Sequence, residues 1–285
     1  GRGRASDRQP GARRRVQVGP TETEALRRDG YVRLTGVFTP SRVEGLRRAV
    51  EDLVARARDG ALPLRWLDQA AGVPDRVSHL MHPDKYDDAW GGWVDEDVHP
   101  HLEALLGAPV RHSLFGMLAS GAGKGYRLAW HRDLCTPGAP DEQDALRRLD
   151  GELIQFNAPV ADVDTFLHVV PGSHRQASTP AQRAAQAAGV DGDMPGAVEV
   201  RLEPGDILYY NPNLWHRGWN PAGHLRWTLH AAYWKATRPV FAHEHGQAEA
   251  LGDEEHLCRL PGTARTLVQR YLDRHADTPP DVHDL

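Results

Sequence analysis

The sequence predicts a mainly β protein, an antiparallel sandwich or barrel with helices packed outside it. Two observations carry this prediction. Helical patterns are concentrated in roughly the first third of the chain, and seven or eight short strand-like segments then follow, separated by turns that contain Gly, Pro and Asn. These strands do not alternate with helices as they do in parallel sheets, so an antiparallel arrangement is favoured.

The first elements are a helix, a strand and a longer helix. Residues 21–29 begin with a Thr-x-x-Glu capping box, and Gly30 ends the predicted helix. The segment "YVRLTGVF" then predicts a strand. Pro40 opens the second helix, whose apolar residues fall on one face. A short helix near 101–106 precedes "PVRHSLFGMLAS", which predicts another strand.

The remaining elements are mostly strands. They are predicted at 126–131, 152–160, 166–170, 197–202, 206–211, 214–219 and 225–234. An Ala/Gln-rich helical segment at 173–189 interrupts them, and a helix at 265–274 closes the chain. Residues 61–95 are rich in Pro, Gly, Trp and His without regular periodicity, which predicts a lid-like functional loop.

Length and composition favour one globular domain. The 285 residues can bury a large core, and we expect a single domain over 21–285 after a disordered Arg-rich tail at 1–20. A net charge of −5 argues against nucleic acid as a partner. No apolar run approaches the roughly 18 residues that a membrane span needs. With only two cysteines in the chain, a reducing cytoplasm is the simplest expectation for its location. The expected substrate is a small molecule.

The stretch "WHRDLC" places His131 and Asp133 two residues apart after a short apolar run. His-x-Asp/Glu is a weak motif by itself, and surrounding sequence has to decide which match matters. The chain holds four matches: His82/Asp84, His101/Glu103, His131/Asp133 and His275/Asp277.

His216 is the best candidate for a third ligand from a distant strand. Counting by twos from Leu214 places His216 and Gly218 on one face of the strand, with Trp215 on the other. Two His and one carboxylate are the arrangement expected for a non-haem Fe(II) oxygenase. The same three ligands also permit a catalytic zinc, so the ligand set alone leaves both metals open.

Arg226 follows His216 by ten residues on an otherwise apolar strand. A guanidinium in this position needs a carboxylate partner, to which its planar group can donate two hydrogen bonds. The carboxylate is either an internal Asp or Glu, or the distal end of a dicarboxylic cosubstrate whose keto-acid end binds iron. Thr228 lies on the same face, where its hydroxyl would add a hydrogen bond.

Gln155 and Asn157 share a face of the strand predicted at 152–160. Their amide groups either contact cosubstrate or substrate, or make structural hydrogen bonds. The residue pattern leaves both interpretations open.

Together, "WHRD", "HVVPGSH" at 168–174 and "GDILYYNPNLWH" at 205–216, with Arg226 ten residues later, resemble the phytanoyl-CoA dioxygenase-like Fe(II)/2-oxoglutarate oxygenases. "RRDGYVRLTGVFTPSRVEGLRRAVEDL" at 27–53 resembles their N-terminal helix–strand–helix. The resemblance covers about residues 21–235. It departs at "VDTFL", where the family usually has a Gly, and at Gln155, where a Trp is common.

The resemblance implies a double-stranded β-helix, or jelly roll, like that of the cupins. It implies iron on His131, Asp133 and His216, with the distal carboxylate of 2-oxoglutarate on Arg226. O2 would be the second cosubstrate, and ascorbate the reductant in vitro. Because Asp133 is present, hydroxylation of a small molecule, as in bacterial natural-product tailoring, is expected over halogenation. Three other oxidative outcomes stay open: desaturation, ring formation and epimerisation. Two other classes of protein also stay open. One is a cupin-like metalloenzyme or zinc hydrolase that does not use 2-oxoglutarate, and the other is a catalytically silent binding module.

Overall fold

The computed structural model describes residues 18–278. Its N-terminal elements are two helices around one strand, followed by a small hairpin and two further helices. In chain order they are α1 (Pro20–Asp29), β1 (Tyr31–Leu34), α2 (Pro40–Arg58), β2 (Trp66–Asp68), β3 (Val73–Pro74), α3 (Asp88–Trp93) and α4 (His99–Leu106). The helix–strand–helix predicted at the start is therefore confirmed.

The rest of the chain alternates long stretches of β structure with short helices. Its elements are β4 (Val110–Ser120), β5 (Tyr126–Arg127), α5 (Glu142–Leu149), β6 (Leu153–Pro159), β7 (Asp164–Val169), α6 (Pro180–Ala187), β8 (Val198–Leu202), β9 (Ile207–Tyr210), β10 (His216–Asn220), β11 (Arg226–Lys235), α7 (Ala248–Leu251), α8 (Glu254–Arg259) and α9 (Gly262–Asp277). The arginine-rich tail predicted at 1–20 lies almost wholly outside the described residues.

Two antiparallel sheets form the centre of the molecule. The larger has the order β1-β9-β6-β11-β4, and the smaller has the order β5-β10-β7-β8. A cavity opens between them, and both sheets contribute to its lining. This is the jelly-roll architecture that was predicted, although helical residues, at about 39%, outnumber the 24% in strands.

The main core lies on the other side of the larger sheet, against the helices. Phe156 of β6 is fully buried there, and its ring meets Trp93 of α3 edge-on, with ring centroids 5.5 Å apart. Its neighbours Gln155 and Asn157 point into the cavity instead. Because side chains alternate along a strand, β6 separates an apolar core from a polar site.

The segment at 61–95 is more regular than its composition indicates. It contains the hairpin of β2 and β3 and the helix α3, whose Trp90 and Trp93 are completely buried. Arg65, Leu67 and Arg76 from this segment line the cavity. The segment therefore lies beside the cavity, while its closure as a lid stays a prediction.

One predicted strand is shorter in the structure, and several short helices were not predicted, α5 among them. The strand predicted at 126–131 is paired as a strand only at Tyr126–Arg127, and His131 then forms an isolated bridge with His216. The helix α5 was not predicted. It carries the buried Glu142, whose carboxylate receives hydrogen bonds from Ser178 and lies 3.3 Å from Nε of Arg132.

Candidate metal centre and cavity

Three predicted ligands meet at the mouth of the barrel. His131, Asp133 and His216 each offer one ligand atom, and these atoms all lie within 4.8 Å of one another. Nε2 of each histidine is 3.5 Å from the same oxygen, Oδ1 of Asp133. Within residues 18–278 this is the one group of three or more His, Cys, Asp or Glu side chains that meets this spacing.

The two histidines are held in the same way. Nδ1 of His131 donates to the carbonyl of Ala129 at 2.8 Å, and Nδ1 of His216 donates to the carbonyl of Leu214 at 2.8 Å. Each ring nitrogen that faces Asp133 is therefore Nε2, with its lone pair free in the neutral ring. Burial lowers the pKa of His216, and the negative charge of Asp133 opposes this shift in part. The lowered pKa keeps the ring neutral over a wider pH range.

The backbone brings these residues together. His131 and His216 form an antiparallel bridge, with N–H···O distances of 3.1 Å in both directions. The amide of Asp133 donates to the carbonyl of Pro212 at 3.0 Å. As predicted from the strand period, His216 and Gly218 face the cavity, while Trp215 is buried on the other side.

Arg132 lies between His131 and Asp133 in the sequence, and its side chain points away from the cavity into the protein. Its guanidinium donates to the carbonyls of Ser173 at 2.7 Å and Gln176 at 2.9 Å, and to that of Asn213. It thereby ties "WHRD" to the "PGSH" turn and to the loop before His216. The sequence interpretation missed this residue, whose signal is an Arg between the His and the Asp of the His-x-Asp motif.

Gln155 contacts a candidate ligand directly. Its Nε2 donates to Oδ2 of Asp133 at 2.8 Å, on the opposite side of the carboxylate from the histidines. Asn157 is bonded elsewhere, since its Oδ1 lies 2.9 Å from Nδ1 of His230. Burial first, and the charge of Arg76 second, lower the pKa of His230 to about 3. Both predicted amides thus line the cavity and make structural hydrogen bonds.

Arg226 is buried and already has a carboxylate partner. Its Nε donates to Oδ2 of Asp164 at 2.8 Å, and its Nη1 donates to the hydroxyl of Tyr126. Burial alone would lower the pKa of Arg226, but Asp164 and Tyr126 together raise it. Asp164 was not predicted as a partner. It lies in "VDTFL", the stretch where the chain departs from the family pattern.

Binding of a cosubstrate by Arg226 stays a prediction, and only one guanidinium nitrogen is left for it, because Nε and Nη1 are occupied within the chain. Nη2 is buried and has no hydrogen-bond partner among the described residues. Arg226 and Tyr126 line the same cavity as the three candidate ligands. Thr228 does not appear in the lining, and its hydroxyl donates to Asp164. It supports the ion pair instead of reaching into the cavity as predicted.

The cavity has a volume of about 670 Å³, within the usual range for small-molecule sites. Part of its wall is apolar, built from leucines of β4 and β7, of the 61–95 segment and of the residues between β5 and α5. The leucines are Leu67, Leu114, Leu118, Leu128, Leu134 and Leu167. In the part of the chain that the structure describes, no helix is long and apolar enough to cross a membrane.

Fold and site together define a jelly-roll protein with a His–Asp–His group in a small-molecule cavity. The chain belongs to the phytanoyl-CoA dioxygenase family: the family model "Phytanoyl-CoA dioxygenase (PhyH)" matches residues 26–220. A search among curated proteins gives no match.

Solved structures share the fold at low sequence identity. EctD from S. alaskensis, with 2-oxoglutarate and 5-hydroxyectoine, has a TM-score of 0.59 and 20% identity over 78% of each chain. The carbocyclase SnoK from nogalamycin biosynthesis has a TM-score of 0.56 and 17% identity over 77% of this chain and 85% of that one. The epimerase SnoN, in complex with Fe3+, alpha ketoglutarate and nogalamycin RO, has a TM-score of 0.54 and 22% identity over 77% and 86%.

Proposed function

We propose that the protein is an Fe(II)- and 2-oxoglutarate-dependent oxygenase of a small molecule. One observation carries the proposal: two histidines with identical Nδ1 hydrogen bonds present Nε2 to one oxygen of Asp133 inside a cavity that also holds a buried arginine. Membership in the phytanoyl-CoA dioxygenase family supports it. So does the iron or 2-oxoglutarate in the structures of EctD and SnoN.

The three side chains suit Fe(II). Two imidazoles and one carboxylate on one face of a metal ion leave the other positions open for cosubstrates. The side chains of His131 and Asp133 are 38% and 28% exposed, so the open face is turned towards the cavity and solvent, whereas His216 is buried. The ligands would thus be anchored at the barrel wall and accessible from the other side.

The buried end of the cavity suits the distal carboxylate of 2-oxoglutarate. A buried donor without a partner costs free energy, and Nη2 of Arg226 is such a donor. A carboxylate beside it would accept from Nη2 and from the hydroxyl of Tyr126. Gly218 makes room for that tyrosine, because a Cβ there would lie 2.9 Å from the Tyr126 ring.

The chain's own groups orient and protect the reacting centre. Gln155 restrains the Asp133 carboxylate, and the backbone bridge fixes the two histidines. Leucines of the wall give the space over the ligands an apolar side. When bound, iron with 2-oxoglutarate and O2 supplies the oxidising power that removes hydrogen from a substrate C–H bond.

Hydroxylation is the proposed outcome, because Asp133 occupies the position that the halogenating relatives replace with a small residue. The fold itself serves several reactions, since its neighbours include a carbocyclase and an epimerase. Those two neighbours come from nogalamycin biosynthesis, which supports a role in tailoring a natural product. The reaction would add one oxygen atom to the substrate.

The ion pair of Arg226 with Asp164 favours a second candidate, a cupin-like metalloenzyme or zinc hydrolase that does not use 2-oxoglutarate. In that protein the arginine would be structural and the three ligands would hold zinc. Zinc would then support turnover of an ester or amide substrate, and 2-oxoglutarate would have no effect.

The test is succinate formation from 2-oxoglutarate. Metal-free protein is reconstituted with Fe(II) or Zn(II), ascorbate, 2-oxoglutarate and O2, and candidate metabolites are then screened for a gain of one oxygen in mass. We expect succinate with Fe(II) only, and loss of it in His131→Ala and Asp133→Ala. His168→Ala is the matched control, a histidine of the same sheet outside the cavity lining. Undiminished succinate in the ligand variants would overturn the proposal.

A further inference from the structure

Arg76 lies in the cavity lining and has no charge partner among the described residues. Three arginines line the cavity, Arg65, Arg76 and Arg226. Arg65 pairs with Asp75, and Arg226 pairs with Asp164. Arg76 makes no hydrogen bond or ion pair with any other residue between 18 and 278, and its side chain is exposed where the cavity meets solvent.

The backbone around Arg76 is fixed beside β4. Val77 and Met117 exchange two backbone hydrogen bonds, of 2.9 and 2.8 Å, and the amide of Leu80 donates to the carbonyl of Phe115 at 2.8 Å. Gly116 permits this close contact, because a Cβ there would lie 2.4 Å from the carbonyl oxygen of Val77. The guanidinium is therefore displayed from an anchored segment.

Arg76 is close to the polar half of the cavity. The positive charge of Arg76 is the second cause, after burial, of the lowered pKa of the cavity residue His230. Burial and Asp133 raise the pKa of Tyr210, and Arg226 and then Arg76 oppose that rise. The ring of Tyr210 in turn packs on His216, with centroids 5.7 Å apart. Arg76 also borders a side chamber of about 80 Å³ that it shares with His79, His243 and Gln247.

We infer that Arg76 binds an anionic group, a carboxylate, sulfate or phosphate, of the primary substrate. The leucines of the cavity wall would contact the apolar remainder of that molecule. This inference rests on the proposed function in treating the cavity as the substrate site and Arg226 as the donor for the cosubstrate. The cosubstrate's distal carboxylate has its own donor in Arg226, so the free charge of Arg76 is left for a second anion.

The test uses matched probes that differ only in charge. Binding of 4-phenylbutyrate and of 4-phenylbutanamide is measured by calorimetry, with octanoate and octanamide as a second pair. Full-length protein is titrated metal-free and, under argon, loaded with Fe(II) and 2-oxoglutarate. We expect the wild-type protein to prefer the carboxylate by about fivefold or more, since an exposed guanidinium gives a charge-assisted but partly screened bond.

Arg76→Gln is expected to abolish this preference and leave amide binding within about twofold. Arg65→Gln is the matched control, because it removes a neighbouring arginine that Asp75 already neutralises. Equal affinity of wild type for acid and amide, including failure of both to bind, overturns the inference. So does an Arg76→Gln protein that keeps the preference, or one that loses only affinity for 2-oxoglutarate. A protein that prefers the acid through Arg76 but forms no succinate would instead refute the proposed oxygenase function alone.

Discussion

His131 and His216 pair backbone to backbone across 85 residues of chain, and each side chain donates its Nδ1 proton to the carbonyl two residues before it. The two rings lie 4.3 Å apart, centroid to centroid. The fold therefore sets both the backbone positions and the ring orientations of the two histidines.

Gln155 is expected to tune metal affinity through Asp133. Gln155→Ala removes the hydrogen bond to Oδ2, and we expect Fe(II) affinity to fall by about ten- to a hundredfold, as for other residues that orient a ligand. Competition with a metal-binding dye under argon measures this affinity.

Asn157→Ala is the control for that experiment. Asn157 lies on the same face of β6 but is bonded to His230, not to a ligand. Its effect on Fe(II) affinity should stay below about tenfold, the lower limit for a residue that orients a ligand. Equal losses in the Gln155 and Asn157 variants would show that general damage to β6, not the Asp133 contact, is responsible.

Asp164 should matter strongly for stability. It and Arg226 are each 2% exposed, so Asp164→Ala would leave a buried guanidinium without its counter-charge. We expect the free energy of unfolding to fall by about 3–5 kcal/mol in urea titrations. Thr228→Val, which removes one hydrogen bond to Asp164, should cost about 1 kcal/mol.

The exposed pair of Asp144 with Arg147 provides the contrast. Both side chains are about 70% exposed, and Asp144→Ala should change the free energy of unfolding by less than about 1 kcal/mol. An Asp164 variant that is no less stable than Asp144→Ala would mean that Arg226 finds another partner on its own.

The buried His112 is expected to make the stability of the fold sensitive to acid. Burial lowers the pKa of His112 from 6.5 to about 3, so below pH 6.5 the unfolded chain binds a proton that the folded chain does not. Stability is therefore complete above pH 6.5 and is lost as the pH falls towards 3. Each such histidine contributes a slope of about 1.4 kcal/mol per pH unit in the middle of that range.

The measurement is urea unfolding of metal-free protein between pH 7 and 5. His112→Gln should make the dependence of unfolding free energy on pH shallower by about 1.4 kcal/mol per unit near pH 5. His224→Gln, at an exposed histidine, is the matched variant. Identical slopes in the wild-type and His112→Gln proteins would show that His112 is protonated in the fold.

Gly116 should be intolerant of even one methyl group. Gly116→Ala brings a Cβ to 2.4 Å from the carbonyl of Val77, so the segment that carries Arg76 must move off β4. We expect a loss of about 1–3 kcal/mol of stability. Gly45→Ala, in α2 with open space around it, should instead stabilise by up to about 1 kcal/mol. Thermal unfolding of the two variants compares them, and a neutral Gly116→Ala would contradict the close contact.

Local patterns and the family resemblance predicted the jelly roll and the convergence of His131, Asp133 and His216. The ion pair of Arg226 with Asp164 could not be predicted in the same way. Its partner Asp164 is 62 residues away, and their meeting depends on how β7 and β11 face each other across the cavity. Likewise, α5 lacks a side-chain cap, and its buried Glu142 is explained only by contacts with Arg132 and Ser178.

The central claim is that three side chains hold one Fe(II) ion, and anaerobic Fe(II) titration followed by metal analysis tests it most directly. We predict one iron per chain in the wild-type protein, and at least a hundredfold weaker binding when His131, Asp133 or His216 is replaced by Ala, since losing a ligand should cost at least as much as losing a residue that orients one. Retention of one tightly bound iron by each of these three variants would contradict the account.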